Sequence, residues 1–181
     1  LQLQTGDAAL DSLLSSSTYR VEGADVSNGD AELNLAAGET KQLTFLLEDS
    51  RGLQVRKTIS FNADHYQTNL AVQIKRGDAI VPQVKVTIGP SIGDQGITHH
   101  TFYSVAPEAV SYVGDKLERH LAASINGNSK SPDRLVLNGP VDWAGVADTY
   151  FAMVAVPQPH ENWKSMLLCG RIEDDHVGAE L

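Results

Sequence analysis

Apolar and polar residues alternate with a period of two along much of the chain. The alternating apolar positions are Leu43, Phe45, Leu47; Leu53, Val55; Ile59, Phe61; Leu70, Val72, Ile74; and Val84, Val86, Ile88. A period of two sends successive side chains to opposite faces, so these segments are predicted to be half-buried antiparallel strands. Strands of this length at roughly ten-residue spacing favour a sandwich or large twisted sheets.

Residues that reverse a chain separate the predicted strands. They are Ser50-Arg51-Gly52, Lys75-Arg76-Gly77-Asp78, and Gly89-Pro90 with Gly93. Glycine supplies positive φ and proline fixes φ, which suits tight connections between neighbouring strands. The chain is therefore expected to be all-β and mainly antiparallel.

Helix is predicted at one place, Asp7–Leu14. Thr5 or Asp7 can cap its N-terminus, and Leu10, Leu13 and Leu14 form one apolar face. A second segment is ambiguous, because Asp115 and Glu118 have the spacing of a capping box while residues 113–116 also suit a hairpin turn. Since both flanks are strand-like, the strand interpretation is preferred there.

The length of 181 residues favours one domain. The polar stretch 124–133 is predicted to be a surface loop in which Ile125 alone can join a core, and it is too short to link two domains. The chain starts at Leu1 without an initiator Met and contains no run of 18 apolar residues. It is therefore expected to be an excerpt of a longer protein from which targeting and membrane segments are missing.

Acidic residues outnumber basic ones by 23 to 14, which gives a net charge of −9. Such a field repels phosphate backbones and anionic membranes, so nucleic acid is not an expected partner. Only residues 41–90 are net basic, with seven bases and four acids. Six of these bases are expected on solvated faces of strands, and they are Arg51, Arg56, Lys57, Lys75, Arg76 and Lys85.

Candidate catalytic chemistry is weak. Cys169 has no partner for an internal disulfide, and the neighbouring acids 173–175 would raise its thiol pKa and leave it inert. Adjacent His99 and His100 point to opposite faces of a strand, and Asp64-His65 suits a turn or an exposed strand start. No GxSxG, GxGxxG or P-loop motif occurs. We therefore expect no catalytic residue, no cofactor and no metal site.

The segment 139–157 combines aromatic residues with small ones and glycine, as GPVDWAGVADTYFAMVAVP. From Tyr150 to Val156 both alternating sets of positions are apolar or aromatic. This pattern predicts a strand buried on both faces.

The pattern GP-x-x-W-A-G-x-x-D-x-Y-F-A-M in that segment resembles the signature of the large periplasmic domain of the YidC family, bacterial inner-membrane protein insertases. Three upstream stretches agree with the family in the same order. They are Thr5-Gly6-Asp7-Ala8-Ala9-Leu10, Val55–Phe61 followed by Tyr66, and Ile88–Gly93. The resemblance covers about Leu3 to Pro157.

The resemblance implies a β-supersandwich, two large antiparallel sheets packed face to face, similar to the sugar-binding domains of mutarotase-type enzymes. Family strands that precede the TGD motif have no counterpart here. The chain is therefore expected to be a single periplasmic domain over 1–181 that lacks its N-terminal strands, with a poorly matched tail over 158–181.

The implied function is that of a non-catalytic interaction domain, since insertion in this family is carried out by a transmembrane bundle. The domain is expected to face the periplasm from the inner membrane, to dock to SecDF and other Sec translocon components, and to assist nascent membrane proteins. The signature positions are expected to be structural, and they are Gly139, Pro140, Trp143, Ala144, Gly145, Asp148, Tyr150 and Phe151.

Two alternatives follow from the fold analogy. The first is a carbohydrate-binding module, which would place Trp143 and Tyr150 along an open cleft, whereas burial of both would indicate a scaffold. The second is an enzyme of mutarotase type, which needs a His and a Glu facing each other. His99, or His120 with Glu118, are the candidates, without a motif behind them.

Overall fold

A computed structural model describes residues 2–27, 30–89, 108–121, 124–125, 134–158, 165–171 and 176–180. The chain divides into two compact units. Thr5–Val84 form the helix-bearing unit, and Leu1–Gln4 with Lys85–Leu181 form the sandwich unit. The single truncated domain over 1–181 with a distinct tail from 158 stays a prediction.

Strands dominate both units, which confirms the predicted all-β class with little helix. The described elements are β1 (Leu3–Gln4), α1 (Ala8–Ser16), β2 (Arg20–Glu22), β3 (Asp25–Ser27), β4 (Asp30–Glu32), β5 (Thr40–Glu48), β6 (Leu53–Asn62), β7 (His65–Arg76), β8 (Ala79–Ile80), β9 (Lys85–Ile88), β10 (Glu108–Val113), β11 (Lys116–Leu121), β12 (Arg134–Asn138), β13 (Val141–Ala147), β14 (Ala152–Ala155), β15 (Ser165–Arg171) and β16 (His176–Glu180). None of the helices in the described ranges has the length and apolarity to cross a membrane.

The helix-bearing unit contains one antiparallel sheet in the order β2-β5-β6-β7-β8 and a separate hairpin, β3–β4. The alternating apolar positions predicted from the sequence lie opposite one another, since Val55 lies between Leu47 on β5 and Ile74 on β7. Val55 and Ile74 are buried, as is Leu53. Cross-strand neighbours of this kind pack on one face and fix the register.

Helix α1 begins where the sequence predicts. The Asp7 carboxylate accepts hydrogen bonds from the amides of Ala9 and Leu10, at 3.0 and 3.1 Å, which satisfies two donors of the first turn. Leu10 and Leu14 are buried, and Leu13 is half-buried. The apolar face is therefore the one that the leucine spacing indicates.

Four of the six bases expected on solvated faces are exposed, and they are Arg51, Arg56, Arg76 and Lys85. Lys57 and Lys75 are half-buried. The Lys57 ammonium instead lies 4.1 Å from the centre of the Tyr19 ring and 5.4 Å from that of Phe45. Burial lowers the pKa of Lys57 and raises that of Tyr19.

The sandwich unit has two antiparallel sheets, β11-β10-β13-β14 and β1-β9-β16-β15-β12. Their shared core consists of Ile88, Ala109, Val113, Ile125, Val141, Ala144 and Val146. Ile88 comes from one sheet, and the residues of β10 and β13 come from the other, so the two sheets pack against each other across this core. Ile125 joins the core as expected, while 126–133 lie outside the described residues.

Residues 113–116 form the hairpin turn between β10 and β11. Gly114 and Asp115 have φ of 57° and 65°, and Val113 pairs with Lys116. Two positive φ values in a two-residue loop match the right-handed twist of the flanking strands. The strand interpretation is confirmed. The turn expected at Gly89-Pro90 with Gly93 lies outside the described residues after Gly89.

Candidate functional site

The signature segment forms the β13–β14 hairpin at one end of the four-stranded sheet. Among the described strands β14 pairs with β13 alone, with Val146 opposite Met153 and Gly145 opposite Val154. Val146 is in the core, so Met153 lies on the core side of the sheet and Val154 on the outer side. Strand β14 is therefore an edge strand within the described part of the chain.

Asp148 builds the turn that joins the two strands. Its Oδ1 accepts hydrogen bonds from the amides of Tyr150 and Phe151 at 2.8 and 2.7 Å, and its own amide donates to the Phe151 carbonyl at 2.9 Å. An aspartate that binds the backbone two and three residues ahead is a common turn former. The turn holds both aromatic residues at a fixed position next to β14.

Two glycines of the signature are needed for different reasons, Gly145 because a side chain has no room and Gly139 because its φ is positive. A Cβ on Gly145 would lie 2.0 Å from the carbonyl oxygen of Met153 on the paired strand. Gly139 has φ of 138°, and a Cβ there would be 3.4 Å from Val113. Next to it, the Pro140 carbonyl accepts a hydrogen bond from the Gly114 amide at 2.9 Å. The small residue Ala144 is fully buried.

The prediction of a strand buried on both faces over 150–156 is wrong. The exposed fractions are 70% for Tyr150, 63% for Phe151, 45% for Met153, 44% for Val154 and 63% for Val156. An edge strand has a neighbour on one side only, and the two aromatic residues precede it in a turn. We call these five residues the β14 edge surface.

Trp143 lies on β13 opposite Tyr112 of β10, and the two rings stack with centres 6.5 Å apart. Trp143 is half-buried, whereas Tyr150 is exposed on its turn. The two residues therefore match neither expected arrangement. They do not line an open cleft together, as a carbohydrate site would require, and they are not both buried, as a scaffold would require. In the same sheet, Arg119 of β11 and Glu108 of β10 form an ion pair at 2.6 Å.

His120 and Glu118 do approach each other, with Nε2 and Oε2 3.3 Å apart. They are alternate residues of β11, so one face of one strand brings them together rather than two walls of a cleft. The buried Nε2 of His120 and the buried Oγ of Ser111 accept or donate no hydrogen bond among the described residues. His65 is an exposed strand start, as expected. His99, His100 and His160 lie outside the described residues.

The helix-bearing unit has a concavity of about 430 Å³. Its lining is Gly23, Ala24, Asp25, Glu32, Leu33, Asn34 and Lys41. No aromatic side chain is among them, whereas sugar sites use aromatic faces for stacking. No group of three or more His, Cys, Asp or Glu side chains that could hold a metal ion occurs among the described residues.

The edge position of β14 was missed from the sequence, together with the exposure of Met153, Val154 and Val156. A local signal existed, since Asp148 followed by Thr149 is turn chemistry immediately before the strand. Apolar residues on both faces are equally typical of a central strand and of an edge strand that binds a partner.

The model of the family described as "YidC periplasmic domain" matches residues 11–168, which is most of the chain. No curated protein matches the chain.

Proposed function

The chain belongs to the family of YidC periplasmic domains, and from that premise we propose that it serves a membrane protein insertase as a non-catalytic docking domain at the bacterial inner membrane. Its partners in this proposal are SecDF and other components of the Sec translocon, together with nascent membrane proteins. It assists the insertion and folding of those proteins by contact and performs no reaction on them.

The observation that carries this proposal is the β14 edge surface. It combines five exposed apolar or aromatic side chains with a strand edge that no described strand covers. Contiguous apolar groups and unpaired strand edges are the places where β proteins acquire protein partners. The turn fixed by Asp148 holds the backbone of Tyr150 and Phe151 in place, which lowers the backbone entropy lost on binding.

The remaining signature positions have structural roles in this proposal. Gly139, Pro140, Ala144, Gly145 and Asp148 shape the hairpin, and Trp143 supports it through the stack with Tyr112. Tyr150 and Phe151 differ from them, because they are exposed and contribute to the docking surface itself.

The test is capture of purified SecDF by the immobilised chain. Val154→Lys places a charge at the centre of the β14 edge surface, and Leu117→Lys makes the same change on β11, at the opposite edge of the same sheet. We expect the unchanged chain and Leu117→Lys to retain SecDF and Val154→Lys to lose most of it. Equal retention by a charge-matched unrelated protein would contradict the proposal.

A further inference from the structure

On the described strand β13 and the turn that follows it, the charged residues are two aspartates, one near each end of the β14 edge surface. Asp142 is exposed on β13, and Asp148 follows that strand directly. Ala147 pairs with Ala152 and Ala144 with Ala155, so Asp148 comes one residue beyond the paired positions at the start of β14 and Asp142 two residues beyond them at its other end. Six positions of extended strand separate the two carboxylates by about 20 Å.

The carboxylate of Asp148 is only partly compensated by its hydrogen bonds among the described residues. Its Oδ1 holds the turn, but its Oδ2 is buried and accepts no hydrogen bond among the described residues. A buried carboxylate charge without a donor is costly, and a cationic group of a partner placed over this turn would offset that charge through space without contacting the oxygen.

The side chains of β14 determine which residues an added strand needs. Met153 lies on the core side of the sheet and Val154 on the outer side, and both are nearly half exposed. A strand added beside β14 would place its own residues alternately against these two sides. The residues of the added strand must therefore be apolar on both of its faces, so that one face covers Met153 and the other covers Val154.

We propose that β14 binds one extended polypeptide segment by strand addition, a segment of about six apolar residues with a basic residue at each end. The inference rests on the docking function proposed above and names the chemistry of the segment that docks. Backbone hydrogen bonds to β14 provide affinity, the apolar side chains cover Met153 and Val154, and the two bases face Asp142 and Asp148.

The experiment titrates the full chain with fluorescent peptides and measures anisotropy. The probe has six valine, isoleucine or phenylalanine residues between two lysines, and N-methyl groups on one backbone edge prevent it from assembling with itself. The first control peptide has glutamates in place of the lysines, and the second is N-methylated on both edges. Amide hydrogen exchange of Ala152–Ala155 is followed in parallel.

We expect the lysine peptide to bind, to protect the β14 amides, and to bind at least about tenfold more tightly than either control. Val154→Lys should abolish binding, Leu117→Lys should leave it unchanged, and Asp142→Asn should weaken it. Asp148→Asn, which keeps the turn acceptor, should weaken it similarly. Circular dichroism establishes that each variant is folded.

Absence of binding at millimolar peptide overturns the inference, as does equal binding of the glutamate peptide. The chain could instead form a dimer that Val154→Lys abolishes and that the peptide does not compete with. That result would assign the edge to a second copy of the chain. Adsorption to zwitterionic vesicles lost in Val154→Lys, without peptide binding, would assign it to lipid. If SecDF is retained while the peptide fails, this inference falls and the docking function stands. If the peptide binds while SecDF is not retained, docking to SecDF falls and the binding of an extended segment by β14 stands.

Discussion

Gly145 is the position at which the backbones of β13 and β14 leave no room for a side chain. A methyl group there would lie 2.0 Å from the Met153 carbonyl oxygen, so the two strands would have to separate. Gly114 provides a contrast, because it needs glycine for its φ of 57° and has open space around it. The energetic cost of crowding, at Gly145, and that of a left-handed backbone, at Gly114, can therefore be measured separately in the same sheet.

Gly145→Ala should lower the free energy of unfolding by about 2–3 kcal/mol, because overpacking forces the backbone to shift. Gly114→Ala should cost about 1 kcal/mol, since only the left-handed conformation is penalised. Urea denaturation of both variants measures the difference. Equal costs would mean that β14 does not pair with β13 as described.

Asp148 is the residue that orders the turn in front of the edge. Asp148→Ala removes the acceptor of two backbone amides and should destabilise the chain by about 1–2 kcal/mol. Asp148→Asn retains an oxygen at the same place and should cost less than half as much. Thermal unfolding of the two variants tests this, and an alanine variant as stable as the asparagine variant would show that the turn needs no side-chain acceptor.

At the scale of elements, helix α1 depends on an ionised cap. Hydrogen bonds from the amides of Leu10 and Ala9, together with Arg76 at 3.1 Å, hold the pKa of Asp7 below its usual 3.8. Asp49 has a lowered pKa for a similar reason, because it accepts from the amides of Leu53 and Arg51 in the β5–β6 turn. Both carboxylates favour the folded state only while they are charged.

The pH dependence follows from the sign of these shifts. A group whose pKa is depressed by folding contributes stability that is present above its unfolded value and is lost as pH falls through the folded value. Asp7→Ala should therefore lower the urea midpoint at pH 7, and the difference from the unchanged chain should shrink as pH falls below 3.8. Glu48→Ala, at the exposed end of β5, serves as the control. A difference independent of pH would show that the charge on Asp7 is not involved.

The extent of prediction from the sequence differs between the elements. Strands β5, β6 and β7, helix α1 and the β10–β11 turn follow from local patterns, because a period of two, an aspartate cap and a Gly-Asp turn each act over a few residues. The edge position of β14 depends on sheet order, which is set by contacts between distant residues. The two rings next to Lys57 belong to Tyr19, directly before β2, and to Phe45 on β5. The residue spacing along β6 therefore does not indicate that they approach Lys57.

At the scale of the whole molecule, the acidic character of the chain and the apolar β14 edge surface have a joint consequence. The net charge of −9 favours association with basic partners and keeps copies of the chain apart, while the edge provides short-range affinity. Family membership places this surface on a periplasmic domain of an insertase. The docking proposed above then requires both the apolar edge and charge complementarity around it.

In the proposed docking, the β14 edge surface, and not the sheet in general, contacts the Sec machinery. A photo-reactive phenylalanine analogue at Tyr150 or at Leu117, in an insertase carrying this domain and reconstituted with SecDF, compares the two edges directly. We predict a covalent adduct with SecDF from position 150 that the further change Val154→Lys removes, and none from position 117. Adducts of equal yield from both positions, or none from position 150, would contradict the claim.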